Sequence, residues 1–167
     1  IWQGGMSFHG GLLGVCLATY IFTQKYNLHF FRYTDLVSLT APIGIFLGRV
    51  ANFINSELYG RETDFILSVN FNKVDNLFRH PSQLYESFFE GIVLFMILNL
   101  LWKKFSEIPG VISSLFLIFY SLFRFMIEFT REPDAHLGTL MNIFTYGQML
   151  SIAFFISGAI LFKLVKK

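Results

Sequence analysis

Five long runs of apolar residues, separated by short polar connections, make up most of the 167-residue chain. A helix needs about 20 apolar residues to cross the hydrocarbon core of a bilayer. Each run has about that length, so the pattern predicts five membrane-spanning helices. Their approximate bounds are 7–24, 36–56, 83–102, 110–129 and 143–162. The expected fold class is all-α, a polytopic membrane helical bundle that forms a single integral-membrane domain over residues 1–167.

The composition favours the same class. Apolar residues make up 54% of the chain and charged residues 14%, whereas soluble domains carry about 25% charged residues. The net charge of +2 gives no argument for nucleic-acid binding. The single cysteine, Cys16, is expected to be a small buried residue, and no metal-ligand spacing or cofactor motif is visible. Because the chain starts at Ile1 and not at Met, we expect an N-terminal portion to be missing.

The charges between the runs predict an orientation. If alternate connections share one side of the membrane, residues 25–35, 103–109 and 163–167 lie together and carry seven bases against two acids. The connections 57–81 and 130–142, on the opposite side, carry four bases and six acids. By the positive-inside rule the first side is cytoplasmic. We therefore expect a cytoplasmic C-terminus and an outer loop at 57–81.

Polar residues inside three of the runs recur at helical spacing, toward the outer ends of the helices. The sets that share one helix face are Arg49, Asn52 and Ser56; Gln83, Glu86 and Glu90; and Tyr120, Arg124, Glu128 and Arg131. An ionised side chain that faces lipid costs about 2.5–3.5 kcal/mol on the mildest scale. We therefore expect the three faces to converge inside the bundle.

Two interpretations of these faces stay open. In the structural one, acids and bases pair and hold the helices together. In the functional one, the arginines form a site, because ionisable residues within a membrane are functional candidates and a guanidinium binds phosphate or carboxylate through two hydrogen bonds. The functional interpretation is preferred for Arg49 and Arg124. The glutamates Glu86, Glu90 and Glu128 fit either one, since orienting an arginine is a sufficient role.

Convergent arginines near the outer interface indicate an anionic ligand at that depth, and a phospholipid headgroup is the abundant candidate. His9 is expected at the same level, where an imidazole can accept a proton or donate a hydrogen bond. A lipid enzyme without a metal or a nucleophile of its own would transfer a group directly to an acceptor, with arginine neutralising the leaving phosphate. The alternatives are a transporter or flippase with an arginine-lined anion or phospholipid site, and a scaffold bundle.

Four segments in this order carry a family resemblance: GGMSFHGG (4–11), GRVANFINSELYGR (48–61), RHPSQLYE (79–86) and FRFMIEFTREPD (123–134). Together they are similar to the prolipoprotein diacylglyceryl transferases, the bacterial inner-membrane enzymes that begin lipoprotein maturation. The resemblance covers essentially the whole chain. It implies a seven-helix bundle with its N-terminus outside, of which about five helices are present here.

The resemblance also implies a reaction, its partners and a location. The diacylglyceryl group of phosphatidylglycerol passes to the lipobox cysteine thiol of a prolipoprotein signal peptide, so that a thioether forms and glycerol phosphate leaves. The implied partners are phosphatidylglycerol, the prolipoprotein signal peptide and the lipid bilayer, with no nucleic acid, no metal and no cofactor. The implied location is the bacterial cytoplasmic (inner) membrane, with the active site toward the periplasmic face.

Residue roles follow from the resemblance by motif position. Arg49 and Arg124 match essential phosphate-engaging arginines, and the resemblance implies a role as a base for His9, which matches the histidine of the family's H-G-G motif. The further functional positions, expected to bind substrate, are Asn52, Glu57, Gly60, Tyr120, Glu128 and Arg131. A transporter would instead be expected to carry a coupling-ion site or inverted repeats, and the sequence shows neither.

Overall fold

Helices account for most of the computed structural model, which describes residues 8–72, 74–132, 139–140 and 144–167, with backbone only at 8, 9, 139, 140 and 144. The helices in these ranges are α1 Phe8–Lys25, α2 Phe30–Asn55, α3 Ser82–Phe105, α4 Val111–Ile127 and α5 Tyr146–Val165. Four short strands form two antiparallel pairs. In the first, β1 Val69–Asn70 pairs with β2 Phe78–Arg79, and in the second, β3 Thr139–Leu140 pairs with β4 Phe144–Thr145.

The predicted all-α membrane bundle is confirmed as a fold class. In the described part of the chain, four helices, α2 to α5, are long and apolar enough to cross a membrane. Helix α1 occupies the first predicted run but is not among those four, so a count of five spans stays a prediction. Many large apolar side chains are exposed on the helices, as a lipid-facing surface requires.

Two helices begin three or more residues away from their predicted starts. Helix α2 begins at Phe30 rather than at 36, so Asp35 lies inside a helix and not in a connection. Helix α5 begins at Tyr146 rather than at 143, because Thr145 caps it. The Thr145 hydroxyl accepts a hydrogen bond from the backbone N–H of Gln148, and the Gln148 side chain accepts one from the backbone N–H of Thr145. This reciprocal capping box fixes where the helix starts.

The buried carboxylate of Asp35 binds the N-terminus of α4. Its Oδ2 accepts a hydrogen bond from the backbone N–H of Gly110 at 2.7 Å. Its Oδ1 accepts hydrogen bonds from the backbone N–H and the hydroxyl of Ser113, at 2.7 and 2.6 Å. The first N–H groups of a helix have no partner within the helix, and its N-terminus favours negative charge. Asp35 therefore joins α2 to α4. This contact explains why α2 can carry a buried acid in a stretch that was predicted to be a connection between helices.

Loss of this contact is expected to destabilise the bundle. Asp35→Ala leaves buried N–H groups unpaired, so we expect the free energy of unfolding to fall by about 1–3 kcal/mol. Thermal unfolding in detergent micelles measures the change. Glu107→Ala is the matched control, because it removes a carboxylate at the same end of the bundle whose side chain is 90% exposed. Equal melting temperatures for the two variants would contradict the prediction.

The connections alternate between the two ends of the bundle. One end, here called the arginine end, holds the segment between α2 and α3 and the turn after α4, which are joined by the bridge between Gly60 and Arg131. The opposite end, here called the lysine end, holds the contact of Asp35 with Gly110. The terminal turns of α1, α3 and α5 at the lysine end carry Lys25, Lys103, Lys104 and Lys163.

Helix α4 packs at the centre of the bundle. The buried core joins Leu94 and Leu98 of α3 to Ile112 of α4. Helix α5 approaches α4 closely at Gly158, where an added Cβ would lie 2.9 Å from Cβ of Leu117. Helix α1 packs mainly against α2. Cys16 on α1 is consequently exposed, so the prediction that it is buried was wrong.

Helix α3 changes its hydrogen-bond pattern midway along its length. It is α-helical over Ser82–Glu86, π-helical over Ser87–Val93 and α-helical again over Leu94–Phe105. Within the π segment Gly91 lies against α2, and an added Cβ would be 2.8 Å from Cβ of Phe46. Short π segments inside α-helices frequently occur at functional sites. Here the π segment directly follows Glu86 and contains Glu90.

Candidate active site

Three arginines surround one buried carboxylate at the arginine end. Glu86 of α3 is fully buried. Its Oε1 accepts hydrogen bonds from Nη1 of Arg124 at 2.6 Å and from Nη1 of Arg131 at 2.7 Å. Its Oε2 lies 2.8 Å from Nε of Arg49, an ion-pair contact without hydrogen-bond geometry. The polar faces of α2, α3 and α4 therefore meet at the Glu86 side chain. We call Glu86, its three arginines and Glu128 the arginine cluster.

Glu128 is the second carboxylate of the arginine cluster. Its Oε2 lies 2.9 Å from Nη2 of Arg124 and 3.6 Å from Nε of Arg131. Its Oε1 accepts a hydrogen bond from the Thr145 hydroxyl at 2.9 Å. Gly147 makes room for this carboxylate, since an added Cβ would lie 2.5 Å from Oε1. Glu128 thus lies against the first turn of α5, where the helix dipole favours negative charge.

Arg49 is the arginine of the cluster with the most guanidinium nitrogens left without a partner among the described residues. Only its Nε contacts Glu86, and its two terminal nitrogens have no partner among the described residues. Its side chain is 22% exposed, whereas the Glu86 side chain is fully buried. A guanidinium held by Nε alone presents its Nη groups as a two-pronged donor for phosphate or carboxylate. Chemically, the cluster can bind an anion and hold it in a fixed orientation.

The segment that follows α2 has a strained backbone. Ser56 and Leu58 have φ angles of 60° and 55°, a left-handed conformation that is uncommon for residues other than glycine. Gln83 Nε2 donates to the carbonyl of Glu57 at 2.6 Å, and the Ser82 hydroxyl donates to the carbonyl of Leu58 at 3.1 Å. The first turn of α3 therefore holds this segment in place. Such strain concentrates at functional sites.

Gly60 lies where this segment crosses two others. Its N–H donates to the carbonyl of His80 at 2.9 Å, and the N–H of Arg61 donates to the carbonyl of Thr130 at 2.9 Å. An added Cβ at Gly60 would lie 2.5 Å from the His80 carbonyl oxygen and 2.6 Å from that of Thr130. Only glycine fits here. Gly60 thereby joins the start of α3 to the turn that leads into Arg131.

The structure places the predicted site residues in three groups. Arg49, Arg124, Glu128 and Arg131 belong to the arginine cluster. Asn52, Glu57 and Gly60 lie beside it, where Asn52 Nδ2 donates to Glu57 Oε2 at 3.0 Å. Tyr120 lies one turn before Arg124 on α4 and stacks on Phe116 at 5.6 Å. The side chain of His9, at the start of α1, lies outside the described residues.

Two contributors to the site were not predicted from the sequence: Thr145 and Gly147, which position Glu128. Ser56 was predicted on the helix face of Arg49 and Asn52, but it lies one residue beyond the end of α2 in the strained turn. The spacing of threonine and glutamine at 145 and 148 was a usable signal for the capping box. The contact of Gly147 with a carboxylate from another helix has no local signal.

Two further arginines at this end hold the outer segment and do not join the cluster. Arg61 Nε donates to the carbonyl of Arg131 at 2.7 Å. Arg79 lies 2.8 Å from Asp75 and 3.3 Å from Glu132, and its guanidinium covers the Tyr59 ring at 4.9 Å. The arginines at this end therefore have two roles, a buried cluster and a set of loop contacts.

The ion pair of Asp75 predicts how the loop responds to acid. Hydrogen bonds from Arg79, and secondly from the backbone N–H of Leu77, hold the pKa of Asp75 below its usual value, which is about 3.9. A depressed pKa means that the pair stabilises the loop above pH of about 4 and that this contribution is lost as the pH falls further. We expect the protection of backbone amides in 57–81 to be constant from pH 8 to about 5 and to decline below about 4. The measurement is hydrogen exchange, corrected for the intrinsic pH dependence of the exchange rate.

The variant Asp75→Asn is the comparison for this measurement. It should show less protection of the loop than the wild type at neutral pH, with no further decline in acid, so that the two proteins converge at low pH. A wild-type loop whose corrected protection is unchanged down to pH of about 2 would contradict the prediction.

Comparison with known proteins identifies the family. The sequence profile of the family described as prolipoprotein diacylglyceryl transferase matches residues 1–164. A protein of Rickettsia felis is 50% identical over 162 residues, covering 96% of this chain and 62% of the relative. A protein of Aeromonas hydrophila is 49% identical over 161 residues, with coverages of 96% and 58%. A protein of Ehrlichia ruminantium is 48% identical over 168 residues, with coverages of 98% and 65%.

These three relatives share the name phosphatidylglycerol–prolipoprotein diacylglyceryl transferase. The chain spans about three fifths of their length.

Proposed function

We propose that this chain, which belongs to the prolipoprotein diacylglyceryl transferase family, carries the phosphate-binding site of an enzyme that transfers the diacylglyceryl group of phosphatidylglycerol to a cysteine thiol of a prolipoprotein. The names of the relatives supply the reaction and both substrates. One observation carries the assignment of the site: Arg49 offers two guanidinium nitrogens that have no partner among the described residues, beside the buried pair of Arg124 and Glu86. No feature of the described residues favours the transporter alternative.

The arginine cluster suits the leaving group of this reaction. The substrate sulfur attacks the terminal glyceryl carbon, the carbon–oxygen bond breaks, and glycerol phosphate leaves while a thioether forms. Negative charge grows on the phosphate oxygen as that bond breaks. Preoriented donors aimed at such charge, in a site that excludes water, lower the barrier of the step. Arg49 and Arg124 are the residues proposed to bind this phosphate.

The other site residues are proposed to support that arrangement. Glu86 and Glu128 hold Arg124 and Arg131 in fixed orientations, which limits the rearrangement needed when lipid binds. Asn52, Glu57 and Gly60 shape the strained segment beside Arg49, and Tyr120 lines the site below Arg124. His9 is proposed as a further catalytic residue from the family resemblance alone. The acceptor sulfur is proposed to come from the lipobox cysteine of a signal peptide.

The proposed location is the bacterial cytoplasmic membrane, with the arginine end toward the periplasm and the C-terminus in the cytoplasm. Lysines collect at the opposite end of the bundle, on Lys25, Lys103, Lys104 and Lys163. A bias of positive charge toward the cytoplasm supports this orientation.

The test is a transfer assay with the full-length protein in vesicles. Phosphatidylglycerol labelled in an acyl chain and a lipobox peptide are the substrates, and a peptide with cysteine replaced by serine is the control. The proposal expects acyl label on the cysteine peptide alone, with release of glycerol phosphate in equal amount. Movement of labelled lipid between leaflets without label on the peptide would instead support a flippase and overturn the proposal.

A further inference from the structure

Glu90 is the ionisable side chain of this region that the arginine cluster leaves unpaired. It is fully buried, and neither of its carboxyl oxygens has a hydrogen-bond partner among the described residues. Glu86, one turn away on the same helix, contacts three arginines. A buried polar group without a partner costs about 1–3 kcal/mol, and more when it is charged. A residue that only held helices together would be paired, so Glu90 indicates a partner that arrives with the ligand.

The position of Glu90 relative to the cluster is defined by two helices. Glu90 lies one turn farther from the arginine end than Glu86, inside the π-helical segment of α3. Tyr120 lies one turn farther from that end than Arg124, on α4. Around Glu90, the groups close enough to act electrostatically are Arg124 and Tyr120 from α4, Arg49 from α2, Arg131 from the turn after α4, and Glu86. Glu90 therefore borders the anion site on its bilayer-interior side.

The geometry of substitution at a saturated carbon places the attacking sulfur on this side of the anion site. A nucleophile attacks a saturated carbon from the side opposite the leaving group. With the lipid phosphate bound at the outer face of the cluster, the glyceryl carbon lies toward the bilayer interior, where the acyl chains are. The sulfur must then approach from the side away from the phosphate. Glu90 borders this side, and its oxygens are free to accept a hydrogen bond.

We propose that Glu90 is a catalytic residue that accepts the proton of the substrate thiol. This rests on the proposed function above. The S–H proton passes to a carboxylate oxygen of Glu90, and the sulfur electron pair forms the S–C bond. The electron pair of the breaking C–O bond stays with the phosphate oxygen, whose charge Arg49 and Arg124 neutralise. No atom is oxidised or reduced, and the proton afterwards passes from Glu90 to the departing phosphate or to water.

The experiment uses the full-length protein in phosphatidylglycerol vesicles with a lipobox peptide, and it compares Glu90→Gln with Glu107→Gln. The amide of Gln keeps the shape of the side chain but is not a base. We expect Glu90→Gln to lower kcat at pH 7 by about 100-fold or more, with KM for the lipid unchanged. Glu107→Gln, an exposed acid at the lysine end, should leave kcat unchanged. Glu90→Asp should restore part of the rate.

A pH profile separates proton transfer from a structural role. Without a base in the site the reaction depends on thiolate formed in solution, so the rate of Glu90→Gln should rise about tenfold per pH unit up to the thiol pKa of about 8.5. The wild-type rate should stop rising at a lower pH, where Glu90 itself is ionised, and not at the pH where the thiol ionises in solution. Binding of phosphatidylglycerol, measured by native mass spectrometry, and the melting temperature of Glu90→Gln should match those of the wild type.

Each contrary outcome has a definite meaning. A Glu90→Gln variant with the kcat or the pH profile of the wild type overturns the role of Glu90. Loss of lipid binding in that variant would assign Glu90 to the lipid site, and a lowered melting temperature would assign it to packing. Either result also overturns its role as the proton acceptor. If the wild-type protein itself transfers nothing to the peptide, the proposed function fails instead.

Discussion

Arg124→Lys in the full-length protein is expected to lower the rate of diacylglyceryl transfer by about 100-fold or more, because one preoriented donor at a developing charge contributes about that much. Arg124 uses two nitrogens on two different carboxylates, Nη1 on Glu86 and Nη2 on Glu128. Lysine keeps the positive charge, but its single ammonium does not reproduce the planar fork. Each glutamate would then lose one of its arginine partners, which also loosens the position of Arg131. The measurement is the initial rate at saturating phosphatidylglycerol.

Arg32→Lys is the matched control for this variant. Arg32 makes the same type of ion pair at the lysine end, but 3.9 Å from Glu107 and with a side chain that is 48% exposed. Exposed pairs of this kind contribute about 0–1 kcal/mol, so the transfer rate should stay near that of the wild type. Arg49→Lys should lower transfer as well, and chiefly by weakening lipid binding, since the two terminal guanidinium nitrogens of Arg49 are the proposed phosphate donors. Near wild-type transfer by both cluster variants would remove the role assigned to these arginines.

Gly60→Ala is expected to disrupt both stability and activity. The added methyl group would lie 2.5 and 2.6 Å from two backbone carbonyl oxygens, and backbone atoms cannot rotate away as a side chain can. Overpacking of this kind costs about 1–3 kcal/mol, and separation of the segments also breaks the hydrogen bonds to His80 and Thr130. The turn before Arg131 would shift, so transfer should fall together with the melting temperature.

Gly44→Ala provides the comparison for Gly60→Ala. Gly44 lies inside α2 with no heavy atom within 4 Å of an added Cβ, and alanine is favoured over glycine in a helix by about 1 kcal/mol. This variant should melt at or above the wild-type temperature and keep its activity. If the two alanine variants behave alike in both measurements, the close crossing at Gly60 is not what requires glycine.

Much of the fold was predictable because its causes are local in sequence. A run of about 20 apolar residues must form a helix in a bilayer to satisfy its backbone, and α3 and α4 begin within one residue of their predicted bounds. Helical periodicity likewise placed Arg124, Glu128 and Arg131 on one face. An ionised face that cannot face lipid must face other helices, so the existence of a buried polar cluster also followed from the sequence.

The tertiary structure alone decided how those faces pair. Periodicity cannot say that Glu86 is shared by three arginines or that Glu90 has no partner in the described residues, because both facts depend on distances between helices. The same holds for Asp35, which the charge pattern placed in a loop and which the structure buries against the N-terminus of α4. Sequence patterns specify which side chains lie on a helix face. The rotation and depth of neighbouring helices specify which of those side chains meet.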